Sequence, residues 1–250
     1  MFNQTPSDPN RFEGTPEGSS PAPISWTAGV SSARPVAVPR EGFLTMSFVW
    51  MFLALLVSAI TATMTLANQT ALQAVANNFL LLIIAELGLV VVLSWAINRI
   101  NATVAVALLF VYAALTGATF SIIFLVYTLP SVTTAFLGAS GIFGAAALYG
   151  AVTGRDLTRL GGFLFVGLVG VIVASIANFW VGGGTLGFVI GVVGVLIFTG
   201  LTAYDVQRIR NGQMRWITSR EQASVVGALA LYLDFINLFL MLLRVFGGRR

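Results

Sequence analysis

From residue 43 onward the chain is a run of seven apolar stretches of roughly 20 residues, and this pattern constrains the fold more than any other feature. They lie near 43–66, 79–97, 103–127, 132–152, 161–181, 185–208 and 224–245. At a rise of ~1.5 Å per residue, each is long enough to cross the ~30 Å of bilayer hydrocarbon as a helix. Lipid offers the backbone no hydrogen bonds, so the segments must satisfy their own amides, and an α-helix does this within one segment. The expected fold is an all-α integral membrane domain over residues 43–250, with seven transmembrane helices.

Composition closes off the soluble alternatives. Hydrophobic residues make up 57% of the chain and charged residues 9%, too few charges to cover a soluble surface. All 13 basic residues are arginine, scattered over short connectors instead of forming a patch, so nucleic-acid binding is not expected. The chain has neither cysteine nor histidine. That removes disulfides, thiolate nucleophiles, imidazole bases and the usual zinc ligands. Carboxylate, hydroxyl and amide groups remain, and these suit protons and hard cations.

Residues 1 to about 40 differ in kind, holding seven of the eight prolines with little apolar periodicity. We expect residues 1–42 to be a disordered cytosolic tail. A cleavable signal peptide is not expected, since its apolar run would fall within the first ~15–30 residues.

The connectors predict orientation. The second, fourth and sixth carry Arg99, then Arg155 and Arg159, then Arg208, Arg210, Arg215 and Arg220, whereas the first, third and fifth carry none. Arginines concentrate on the cytosolic side, which places the amino terminus there, in agreement with Arg34 and Arg40. Arg244, Arg249 and Arg250 at the other end of the chain disagree with seven full crossings, and a re-entrant last segment would reconcile them. GxxxG spacings at Gly150 and Gly154 and at Gly187 and Gly191 predict close helix packing within the monomer. Trp95 and Trp180 fall at segment ends, as interfacial aromatics do.

Three of the nine acidic residues, Glu86, Asp205 and Asp234, fall inside the apolar segments. A bare charge at the bilayer centre costs about 2.5–3.5 kcal/mol on insertion scales, so each needs a partner or a water-filled cavity. Asp205 lies near the arginine-rich end of its segment, where Arg208 at i+3 offers a local ion pair. Asp234 has no basic residue nearby in sequence, so its partner must come from another helix. By helix rise alone, Asp205 lies ~6 Å and Asp234 ~15 Å below the arginine-bearing surface, close enough for tilt to bring them together. Two carboxyl groups that meet in a poorly solvated site cannot both ionise cheaply, and they tend to share one proton. Asn237, on the same helical face as Asp234, adds an amide to such a pathway or simply bonds between helices. Glu86, with apolar neighbours on its own segment, is either protonated or lines the same cavity. Arg208 and Arg99 are the arginines whose long stems reach toward these acids.

The strings LTAYDVQRIR at 201–210 and ALYLDFINLFLMLLR at 230–244 resemble the last two helices of the Bax inhibitor-1 family. ALLFVYAALTGATFSIIFLVY at 107–127 and GIFGAAALYGAVTGRDLTRLGGFL at 141–164 are similar to its bacterial branch. The resemblance implies a seven-helix fold with the last helix central. It also implies a calcium leak gated by pH, in which Asp205 and Asp234 match the family's aspartate pair and metal-binding position. Glu86 matches a glutamate of the bacterial leak members, and Arg99, in SWAINR, is the candidate for their basic latch unless Arg208 supplies it. The expected location is a bacterial inner membrane, with calcium or another cation as cargo, no enzymatic activity and no resident cofactor.

Two other readings stay open at this level. An intramembrane aspartyl protease also pairs a Tyr-Asp on one helix with an aspartate on the next. Here the second aspartate ends the string LYLD rather than a glycine-rich GxGD motif, and no proline-alanine-leucine element follows. The other reading is a non-transporting scaffold that restrains a membrane-bound quality-control protease.

Overall fold

The computed structural model describes residues 42–182, 184–213, 217 and 219–248. The expected tail, but for Gly42, and also Arg215, Arg249 and Arg250 lie outside the described residues. The described chain forms eight helices: α1 (Phe43–Ala67), α2 (Gln69–Asn77), α3 (Phe79–Ala96), α4 (Ala102–Val126), α5 (Leu129–Val152), α6 (Thr158–Val181), α7 (Gly184–Arg210) and α8 (Arg220–Phe246). Among them, all but α2 are long and apolar enough to cross a membrane. The seven expected segments are therefore present.

The differences lie at the ends. The first connector is not plain loop: Asn68 caps α2 by accepting the Ala71 amide at 3.1 Å, which starts a short helix in a stretch too polar to have signalled a span. Helices α5, α6 and α8 begin at 129, 158 and 220, three or four residues before their apolar runs, because helix continues into the polar interface. Pro130 sits in the first turn of α5, where its missing amide costs nothing. Asn101 caps α4 through the Val104 amide at 2.8 Å. Gly182, at φ 68°, ends α6 in the left-handed region that favours glycine.

α8 is the central helix. Its apolar window is 67% buried, against 6% for α3, and it packs on α1, α4, α5 and α7. Aromatic edges seal the α5–α8 seam, with Phe235 meeting Phe136 at 5.6 Å and Phe143 at 5.5 Å between centroids. Small residues carry the other close approaches. Ser47 on α1 donates to the Ser224 carbonyl of α8 at 3.1 Å. Ser58 on α1 bonds the Ala113 carbonyl of α4 and the Tyr232 hydroxyl of α8, each at 2.7 Å, tying three helices at one buried point.

The two ends of the bundle are tied differently. At one end, buried Gln207 on α7 accepts the Leu157 amide at 2.8 Å and donates to the Arg155 carbonyl at 2.7 Å. Arg210 reaches the Ala151 and Thr153 carbonyls at the end of α5. Gln222 on α8 donates to the Ile100 carbonyl in the α3–α4 turn. At the other end, Gly248 accepts the Thr128 amide at 3.2 Å and donates its own amide to Ser131 at 2.9 Å. The end of α8 thus meets the α4–α5 turn, on the side away from the arginine-bearing connectors. Helix α8 is unbroken from Arg220 to Phe246, without the turn that a re-entrant segment would need. Its discordant Arg244 turns inward, donating to the Ser175 hydroxyl of α6 at 3.2 Å.

Gln207 makes a prediction of its own. Leucine in its place would leave a buried amide and a carbonyl unpaired, and a lost buried partner costs about 1–3 kcal/mol. Gln207→Leu is expected to lower the melting temperature in detergent, whereas Gln213→Leu, at an exposed position, leaves it unchanged. Equal melting of the two would show that the bridge contributes nothing.

Candidate functional site

A cavity of about 830 Å³ lies between α6, α7 and α8, with Leu87 of α3 on its rim. The α7 wall presents Tyr204, Asp205 and Arg208, and the α8 wall presents Asp234, Asn237 and Met241. These positions follow from helix periodicity: 201, 204, 205 and 208 form one stripe of α7, and 230, 233, 234, 237 and 241 form one stripe of α8. Packing α7 against α8 turns both stripes toward the same space.

Asp205 sits toward the arginine-bearing end, its carboxylate 3.8 Å from the Arg208 guanidinium. Its side chain keeps 16% of its surface exposed. Asp234 is deeper, at 5% exposure, and its Oδ2 has no hydrogen-bond partner among the described residues. Such an orphaned carboxylate oxygen is costly in an apolar interior, so its retention against the cavity points to a role beyond packing. Asn237 lines the same cavity and donates its Nδ2 to the Leu233 carbonyl at 2.8 Å. Four of the residues singled out from sequence, Asp205, Arg208, Asp234 and Asn237, therefore share one space.

Glu86 lies elsewhere, on the face of α3 that meets α4, where it accepts the Thr119 hydroxyl at 2.6 Å. Thr116, Tyr112 and Tyr232 stand beside it. The Thr116 hydroxyl is within their reach yet bonded to none of them. Leu87, one residue on, touches the cavity, and Glu86 does not line it. Arg99 stacks over Trp95 at 4.7 Å from the ring centroid, so its charge is engaged at the end of α3. The ion pair within this cavity is made by Arg208.

Sequence reading missed three members of the site. Tyr204 stands beside Asp205 and packs its ring against Gly161 of α6, where a Cβ would fall 2.6 Å from the ring. Ser175 lines the far part of the cavity and holds Arg244 there. The helix α6 that closes one side has no charge between Arg159 and its end, so nothing in its own sequence marked it as a wall.

The fold and the site define a class: a polytopic helical membrane protein with two aspartates facing one cavity beside a central last helix. The comparisons place it more narrowly. A family described as inhibitor of apoptosis-promoting Bax1 matches residues 40–250, and the chain belongs to this Bax inhibitor-1 family. It is 43% identical over 225 residues to the inner membrane protein YbhL of Escherichia coli K12, covering 86% of this chain and 96% of that one. It is 44% identical over 217 residues to an uncharacterized protein of Borreliella burgdorferi, covering 84% and 94%. An uncharacterized protein of Deinococcus radiodurans is 42% identical over 209 residues, covering 83% and 90%.

Proposed function

We propose that this protein is a cation leak, for calcium, in a bacterial inner membrane, gated by a proton shared between Asp205 and Asp234. The observation that carries the reading is the meeting of both carboxylates on one cavity, with Asp234 Oδ2 buried and unpartnered. The name of the Escherichia coli relative supports the location. Two carboxylates with an amide and hydroxyls nearby offer hard oxygen ligands. Among the described residues no three acidic side chains gather at one point, which suits passage better than tight retention. With one proton between them the aspartates hold α7 and α8 together. Loss of that proton leaves two like charges in a poorly solvated space, a repulsion that an entering cation relieves.

The test is calcium entry into dye-loaded liposomes compared across roughly pH 5 to 8. Wild type should give a flux above empty liposomes that varies with pH, and Asp205→Asn combined with Asp234→Asn should flatten that dependence. A wild-type flux equal to that of empty liposomes at every pH would sink the leak.

A further inference from the structure

The cavity is not closed on all sides. Leu87 on α3 is 64% exposed, and on α6 Phe165 and Ile176 are 62% and 52% exposed, yet all three line the space that holds the aspartates. An apolar side chain exposed in mid-span faces lipid tails. Residues that face lipid and line the cavity at once mark a lateral mouth toward the bilayer, between α3 and α6.

The two walls have opposite chemistry. The outer wall is hydrocarbon or aromatic at Leu87, Phe165, Leu168, Ile172 and Ile176, with Ser175 as its one hydroxyl among the described lining residues. The inner wall carries Tyr204, Asp205, Asp234 and Asn237. The lining runs from Gly161 to Ile176 along α6, a rise of ~22 Å. Its volume, about 830 Å³, is within the ~300–1,000 Å³ typical of small-ligand sites. The charged side chains among the described lining residues are Asp205, Asp234 and Arg208, two negative and one positive. Arg208 pairs with Asp205, and Arg244, bonded to the lining Ser175, lies ten residues from Asp234 along α8, a rise of ~15 Å, so when both carboxylates are ionised the orphaned Asp234 Oδ2 is where a donor is lacking.

We infer that the cavity binds a membrane-dissolved amphiphile with a single cationic amine head: the amine donates to Asp234 and Asp205 while the apolar tail leaves through the mouth between α3 and α6. A neutral head would leave an ionised Asp234 without a cation, and an anionic head would be repelled by it. A soluble amine would match the head but leave the outer wall unfilled. The inference uses the cavity of the leak reading but does not depend on ion passage, since a bound amine requires only the two carboxylates and the mouth.

The experiment is photo-crosslinking of the full chain in nanodiscs of neutral lipid, using a long-chain primary amine with a diazirine in mid-tail. Labelled peptides are read by mass spectrometry. Labelling should concentrate on α3 and α6 around Leu87, Phe165 and Ile172, and excess dodecylamine should suppress it about tenfold. Dodecanol and butylamine should not. Asp234→Asn, which keeps the shape and removes the charge, should lower labelling about tenfold. Gly162→Leu keeps both aspartates and adds bulk to the cavity lining where a Cβ meets nothing within 4 Å, and it should also lower labelling. Labels spread evenly over all lipid-facing helices, suppression by dodecanol or butylamine as strong as by dodecylamine, or full labelling in both variants would each overturn the inference. Because the readout is a covalent label, the outcome is separate from whether calcium flux is found.

Discussion

Leucine at Gly150 or at Gly117 is expected to unfold this protein, or to leave it with far lower thermal stability than Gln207→Leu does. A Cβ on Gly150 would fall on the backbone carbonyl oxygen of Ala203, where α5 crosses α7. A Cβ on Gly117 would fall on the backbone carbonyl oxygen of Ser58, where α4 crosses α1. Neither obstacle is a side chain that can turn away, so the two helices must separate. Overpacking in a filled interior costs typically ~1–3 kcal/mol when side chains can adjust, and backbone contact puts these two at or above the top of that range. The separation would propagate. The α1–α4 crossing holds Ser58 against the Ala113 carbonyl and the Tyr232 hydroxyl. The α5–α7 crossing lies beside Thr202 and Ala203, next to the cavity stripe of α7. Gly144→Leu, on the same helix as Gly150 with nothing within 4 Å of its Cβ, is the control and should melt within ~0.5 kcal/mol of wild type. Melting followed by loss of the monodisperse peak in detergent distinguishes the cases. If Gly150→Leu melts with the control, the crossing is not tight.

The same glycine shows how far sequence alone reaches. The GxxxG spacing flagged Gly150 and Gly154 equally, but α5 ends at Val152, so Gly154 lies past the helix and meets nothing within 4 Å. Spacing reports a face only while the helix continues, and helix ends are what hydropathy fixes least. Gly191 on α7 does meet α8, at Val245 and the Met241 carbonyl, as close packing within the monomer requires. The seven spans were legible because lipid leaves few other ways to satisfy an apolar backbone. Their polar termini were not, because hydropathy falls before the helix ends. Asp205, Asp234, Arg208 and Asn237 stood out because charge and amide are rare in such segments, and their common cavity followed from helical stripes on two adjacent helices. Glu86 stood out for the same reason, but the neighbour that receives it, Thr119, is an ordinary residue of α4. Which acid meets which helix depends on rotation about each helix axis, and a nearly all-apolar segment such as α3 encodes that rotation weakly. Arg244 was misleading for a related reason: its contact with Ser175 lies inside the bundle, where a count of charges per connector does not register it.

Asp234→Asn should raise thermal stability at the alkaline end of the pH range, where the shared proton is lost, while removing the pH response of the proposed leak. Asp205 and Asp234 differ in what the protein gives them. Asp205 has the Arg208 guanidinium at 3.8 Å and a partly exposed carboxylate, an arrangement that contributes little net energy in either direction, about 0–1 kcal/mol. Asp234 is 5% exposed with an oxygen that nothing satisfies. A charge at depth costs about 2.5–3.5 kcal/mol on insertion scales, so once the shared proton is lost an uncharged isostere there should recover roughly 1–3 kcal/mol. Asparagine keeps the volume and can still hydrogen-bond into the cavity, so the gain should not be lost to a void. Asp205→Asn, by contrast, should leave stability within ~1 kcal/mol of wild type. A residue kept for packing would lose stability on replacement, and one kept for a shared proton should show the reverse pairing of gain and loss. Both variants belong in one series: melting in detergent, then calcium entry into liposomes at several pH values. Higher stability with a flat pH response in Asp234→Asn would mark Asp234 as the member of the pair that bears the energetic strain of gating. A variant less stable than wild type, with its pH response intact, would make Asp234 a structural residue and leave the leak without its gate.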